Sequence, residues 1–261
     1  MRVPFNSPRL VILCVLALLC VSASGASAHA KTSARSGTAE DTLRVSAGGI
    51  YSVTGVWHRG APESPKVFIW FHGGMQSANC QKGLVAGNAL DTLASSDASA
   101  VVVSASACGE HHWLSQEMLR IPDAALDSLE RRWNVKISSV ALVGVSDGGL
   151  GVLGYSLYGR RTVISRMLIS TNLTQAADAV SLSALPRVQT GRWLFIQGGN
   201  DRLYPAPTVL PWQDAFCKGV GFKRCEIKMD SRGEHDWSWW RANRKEWLDG
   251  YVRGAFLPRK P

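Results

Sequence analysis

From Lys66 onward the chain alternates between short, unbroken apolar runs and longer segments with helical spacing. The runs Val67-Phe68-Ile69-Trp70-Phe71, Ala100 to Val103, Val140 to Val143, Val163 to Ile169 and Trp193 to Ile196 read as strands buried on both faces. A strand with one wet face would alternate apolar and polar residues instead. Cys225 to Met229 reads as a last strand. Helices are expected over Gly83–Leu93, from Pro122-Asp123 through Leu126, Leu129 and Trp133, from the glycines after Ser146 to about Tyr158, within Pro205–Cys217, and over Trp237–Tyr251. Before Lys66, Leu43–Ser46 and Tyr51–Trp57 read as an antiparallel pair turning at Gly48-Gly49. Strand–helix alternation on this scale predicts an α/β fold: a mostly parallel central sheet with helices on both faces.

The first 41 residues fall outside that pattern. Arg2 and Arg9 form a basic stretch, Leu10–Val21 is apolar, and Ala26-Ser27-Ala28 and Ala28-His29-Ala30 each fit a small-residue cleavage site. Residues 1–30 are therefore expected to be a secretory signal, cleaved near Ala28 or Ala30, which places the protein in the periplasm or the medium. Residues 31–41 read as a flexible polar leader, and 42–261 as a single domain with a minimal cap or none, residues 171–190 being the one long polar segment between late strands and too short to close the site. No second apolar stretch is long enough for stable membrane insertion.

Charge and cysteines sharpen this picture. The net charge of +9 suits either solubility or an anionic partner, and solubility is the simpler reading; no nucleic-acid partner is expected. Cys14 and Cys20 would leave with the signal, and the even set Cys80, Cys108, Cys217 and Cys225 suggests disulfides in an exported chain. Number alone leaves the pairing open; Cys80–Cys108 and Cys217–Cys225 are favoured because each is local in the fold expected. No C-x-x-C occurs, so a zinc knuckle is not expected.

The chemistry centres on Gly144-Val145-Ser146-Asp147-Gly148, a G-x-S-x-G segment between a buried strand and a helix. A serine hydroxyl needs a base to become a nucleophile, and an imidazole needs a carboxylate to fix its tautomer. Asp201, in Gly198-Gly199-Asn200-Asp201, and His235, in Gly233-Glu234-His235-Asp236-Trp237, follow in the order Ser, Asp, His, each past the end of a strand. Asp230 and Asp236 are weaker competitors for the acid. An oxyanion hole needs two peptide N–H groups. Asp147 supplies one, and the His72-Gly73-Gly74-Met75 loop the other, through Gly74 or alternatively Met75. His72, Trp113 and Trp237 are candidates for contact with substrate, as is the pair His111-His112, whereas Trp240 is expected in the core.

The segment Phe71-His72-Gly73-Gly74-Met75-Gln76-Ser77-Ala78 resembles the His-Gly-x-x-Gln-Ser segment of secreted polyhydroxybutyrate depolymerase-like and feruloyl esterase-like proteins of the α/β-hydrolase superfamily. Gly233 to Trp237 is similar to their His-x-Trp segment. The resemblance spans residues 42–255 and implies ester hydrolysis through an acyl-enzyme, with Ser146 as nucleophile, His235 as base, Asp201 as its partner, and no metal or cofactor. The substrate implied is a small-molecule or polymer-linked ester. Two residues depart from the families: Asp147 stands where a small or apolar residue is common, and Glu234 where glycine is common. The rival readings are hydrolysis of small amides or peptides, and a binding protein that keeps the fold without turnover; replacement of Ser146 separates the latter.

Overall fold

The chain enters its sheet as a hairpin, β1 (Ala39–Ala47) turning at Gly48-Gly49 into β2 (Ile50–His58). Both glycines have positive φ, the conformation such a turn requires. The computed structural model describes residues 39–74, 77–84 and 97–257, which lie in one compact unit. The strands that follow are β3 (Lys66–Phe71), β4 (Ala100–Ala105), β5 (Ser139–Val145), β6 (Thr162–Ile169), β7 (Arg192–Gly198) and β8 (Cys225–Asp230). They form an 8-stranded sheet in the order β1-β2-β4-β3-β5-β6-β7-β8. Only the β1–β2 and β2–β4 pairings are antiparallel.

The unbroken apolar runs are explained by two cores, one on each face of the sheet. Along β3, Val67, Ile69 and Phe71 face one core while Phe68 and Trp70 face the other. The first is covered by α1 (Gln116–Trp133), α2 (Gly148–Tyr158), the short α3 (Ala179–Ser183) and α4 (Ala206–Val220). The second is closed by α5 (Trp237–Asn243) and α6 (Lys245–Gly254), which contribute Trp240, Leu248, Tyr251 and Val252. Disulfides join Cys80 to Cys108 and Cys217 to Cys225.

Three boundaries differ from the sequence expectation. β1 begins at Ala39, so the end of the polar leader is sheet. Its side chains need no apolar partner there: Asp41 accepts from His58 Nε2 on β2 and pairs with Arg132, each at 3.0 Å. α1 begins at Gln116, because the Ser115 hydroxyl caps Met118 N at 3.2 Å, and Pro122 lies inside the helix rather than at its start. The expected last helix is two helices. Arg244 leaves helical geometry between them, pairs with Asp230 and lies over Trp247. The expected helix 83–93 falls largely outside the described residues. The 171–190 segment forms no cap domain: α3 packs with Leu173 and Val188 into the first core.

Candidate active site

Parallel strands deliver their loops to one edge of the sheet, and β3, β5, β7 and β8 end there with His72, Ser146, Asp201 and His235 in the segments that follow. Ser146 sits between β5 and α2 with φ of 54°, a left-handed conformation that costs a non-glycine residue about 1–3 kcal/mol. Its surroundings hold it there. Ser146 N donates to Ile169 O at 2.9 Å, and Gly149 N donates to Ser146 O at 3.0 Å. The flanking glycines are required by close approach: a Cβ on Gly144 would come within 2.5 Å of Gly148 O, and one on Gly148 would strike Phe71 O.

The loop after β7 brings Asp201 to the serine from the side. Its carboxylate is buried and accepts from Leu203 N at 3.0 Å and Tyr204 N at 2.8 Å. His235 Nδ1 lies 3.0 and 2.9 Å from its two oxygens. Burial pushes the Asp201 carboxyl up, but the bonds from His235, Tyr204 and Leu203 outweigh burial and hold it below the usual carboxylate range. With Nδ1 donating to Asp201, His235 Nε2 is left as an acceptor, and the Ser146 hydroxyl lies 2.8 Å from it. The two loops that carry Asp201 and His235 are stitched to each other: Gly199 N donates to Asp230 O, and Asn200 N to Gly233 O. The rivals for the acid are elsewhere: Asp230 is taken by Arg244 and by Arg232 N, and Asp236 is exposed at the start of α5.

On the other side of Ser146 runs the loop after β3. Gly73 passes so close that a Cβ there would lie 2.9 Å from Ser146 Cβ. Gly74 has φ of 79°, and the Lys82 ammonium donates to the carbonyls of Gly73 and Gly74 at 3.4 and 3.3 Å, tying the loop down. Met75, the alternative donor, lies outside the described residues. Asp147 caps α2, directly after the serine. Between the Asp201 and His235 loops opens a cleft of about 830 Å³ lined by Asn200, Arg202, Leu203, Glu234 and Asp236.

None of the three expected substrate contacts, His72, Trp113 and Trp237, lines this cleft. His72 is 6 % exposed and both ring nitrogens are engaged: Nε2 accepts from Ala107 N at 3.0 Å, so the Nδ1 proton goes to Gly73 O at 2.9 Å. Burial drives its pKa down to about 4, so the ring is neutral. Trp113 is 1 % exposed, packs edge-on against Phe71 and His72, and donates from Nε1 to His72 O at 2.8 Å. Each is consumed by holding the loop that passes the serine. Trp237 is half-buried, edge-on to Trp70 at 4.8 Å, and Trp240 is fully buried. Of the histidine pair, His111 is exposed and His112 Nδ1 accepts from Leu114 N at 3.1 Å, within its own turn.

One residue at the site has no signal in the sequence. The Tyr204 hydroxyl donates to Asp147 Oδ1 at 2.7 Å, and its ring stands edge-on to His235 at 5.1 Å.

No protein-family model matches the sequence, and no curated protein matches it. Solved structures do. A Pyrococcus furiosus esterase superposes with a TM-score of 0.57 at 13% identity, over 82% of this chain and 90% of its own. A cold-adapted esterase from an Arctic intertidal metagenomic library gives 0.57 at 16% identity, over 84% and 97%. A Pyrococcus horikoshii acylaminoacyl peptidase gives 0.63 at 10% identity over 86% of this chain, which spans only 43% of the peptidase. The fold is that of the α/β-hydrolases.

Proposed function

We propose that the chain is an exported serine hydrolase that cleaves carboxylic esters through an acyl-enzyme. The observation that carries this reading is the unbroken hydrogen-bonded run from Ser146 Oγ through His235 to Asp201, of which His235 and Asp201 line a cleft. In the reaction, His235 Nε2 takes the Ser146 proton as Oγ attacks the ester carbonyl. Asp201 holds the Nδ1 proton in place and steadies the imidazolium. The tetrahedral oxygen is received by the peptide N–H of Asp147, at the positive end of α2, and by that of Gly74. His235 then protonates the departing alcohol. Water enters, gives its proton to the same nitrogen, and releases the acid. Side chains and water complete the chemistry, so no cofactor or metal is invoked.

The esterases among the structural neighbours support the reading at the level of fold. Export is proposed from the signal-like first 30 residues together with the two disulfides; among the described residues, no helix is long and apolar enough to cross a membrane.

The test is release of p-nitrophenol from acetate, butyrate and octanoate esters, with Ser146→Ala as the reference. We expect wild-type turnover, a loss of about 10⁵-fold or more in kcat in the variant, and a chain-length profile that sizes the cleft. Hydrolysis of acyl-amino acid amides at the expense of esters would shift the reading to the amide class. Turnover that survives loss of the hydroxyl would sink the serine mechanism.

A further inference from the structure

An acidic residue directly after the nucleophile is a physical problem for the reaction just proposed. The peptide N–H of Asp147 is meant to receive a developing negative charge, yet the side chain of the same residue carries one. Two like charges a few ångströms apart in a partly desolvated site repel by an amount that directly raises the barrier. Tyr204 meets this problem. A phenol has a single proton, and that of Tyr204 is given to Asp147 Oδ1 at 2.7 Å. The phenol is itself fixed from three directions: its N–H is on Asp201 Oδ1, its carbonyl accepts from Gln197 Nε2 at 2.9 Å, and its ring abuts His235. Gln197 is fully buried on β7, so the anchor reaches back into the sheet. Burial first, and then the Asp147 carboxylate, push the Tyr204 hydroxyl up to about 12, which keeps it a donor across any working pH.

We propose that Tyr204 is a positioning residue that pins and partly neutralises the Asp147 carboxylate, so that the N–H of Asp147 can serve an oxyanion that its side chain would otherwise oppose. The arrangement also links the acid and the nucleophile. One residue contacts Asp201 through its backbone, His235 through its ring, and Asp147, next to the serine, through its hydroxyl. The inference rests on the esterase reading above.

The experiment compares wild type, Tyr204→Phe and the double variant Tyr204→Phe/Asp147→Asn on p-nitrophenyl butyrate, with Ser146→Ala as the blank and thermal unfolding followed for each. Loss of the hydroxyl should lower kcat about tenfold, the size of one hydrogen bond to a charged group, with KM little changed. Removing the charge as well should restore most of that loss. A tyrosine that merely packs would give no recovery, since Asp147→Asn restores no packing. Tyr204→Phe with unchanged kcat, or a double variant as slow as the single, overturns the proposal while leaving the esterase reading intact. If wild-type turnover proves independent of Ser146, both fall. Should Tyr204→Phe alone fail to fold, the double variant decides: folded and active supports the proposal, and inactive or unfolded overturns it.

Discussion

Two histidines flank Ser146, each just past the end of a parallel strand, and they have opposite fates. His72, after β3, spends both nitrogens on backbone: one accepts from Ala107 N and the other donates to Gly73 O. It is 6 % exposed and has no carboxylate among these partners. His235, after β8, has one nitrogen on a carboxylate and the other on a hydroxyl, with its side chain 22% exposed. The ring is the same in both places. What separates a structural brace from a base is whether the second nitrogen faces a group that can give up a proton, and whether a fixed negative charge stands behind the imidazolium that results. His72 has neither, and its neutral form is what the fold requires.

The comparison can be broken in three places. Asp201→Asn removes the charge behind His235 while keeping its shape, and an amide there favours the wrong tautomer; kcat should fall about 10⁴-fold with the fold retained, measured by ester turnover and circular dichroism. A fall of less than tenfold would mean that His235, like His72, needs no carboxylate behind it. The second prediction concerns pH and His72. The folded chain resists protonation of this ring down to about pH 4, whereas the ring ordinarily titrates at 6.5. Between those values the unfolded state binds the extra proton, so stability is full above about pH 6.5 and falls as pH drops through the window. From pH 7 to pH 5 the loss should be about 2 kcal/mol in urea unfolding, and His72→Gln should flatten that slope. An unchanged slope would refute the assignment of a buried neutral ring. The smallest effect is expected at Trp113, whose Nε1 holds the His72 carbonyl. Trp113→Phe should cost about 1 kcal/mol beyond its lost packing, read from the urea midpoint.

These residues also mark where the sequence was readable. Ser146, Asp201 and His235 were legible because each follows a buried strand, and a parallel sheet sends all such ends to one edge. The hairpin at Gly48-Gly49 was legible for a local reason, since only glycine turns so tightly without strain. His72 and Trp113 were misread as substrate contacts because they too lie in loops beyond strands, at the same edge. The sequence says that a residue reaches the rim, not which way its side chain turns there. For His72 the answer is set by Ala107, a residue 35 positions away. Tyr204 meets Asp147 across 57 positions, a contact that no local spacing could announce. The start of α1 was missed for a different reason: Pro122 is the stronger textual signal for a helix start, but the Ser115 cap is the one the fold uses.

The stitching between the Asp201 and His235 loops has a mechanical consequence. Peptide hydrogen bonds from Gly199 and Asn200 tie the Asp201 loop to the His235 loop, while Ser146 sits at the junction of β5 and α2. A small shift of these paired loops carries imidazole and carboxylate together, so the alignment at Nδ1 survives it. Tyr204, bonded to Asp201 through its N–H and to Asp147 through its hydroxyl, ties the same pair of loops to the residue after Ser146. Under the proposed mechanism, three groups coupled in this way have fewer independent ways to fall out of register in thermal motion than three carried on separate loops.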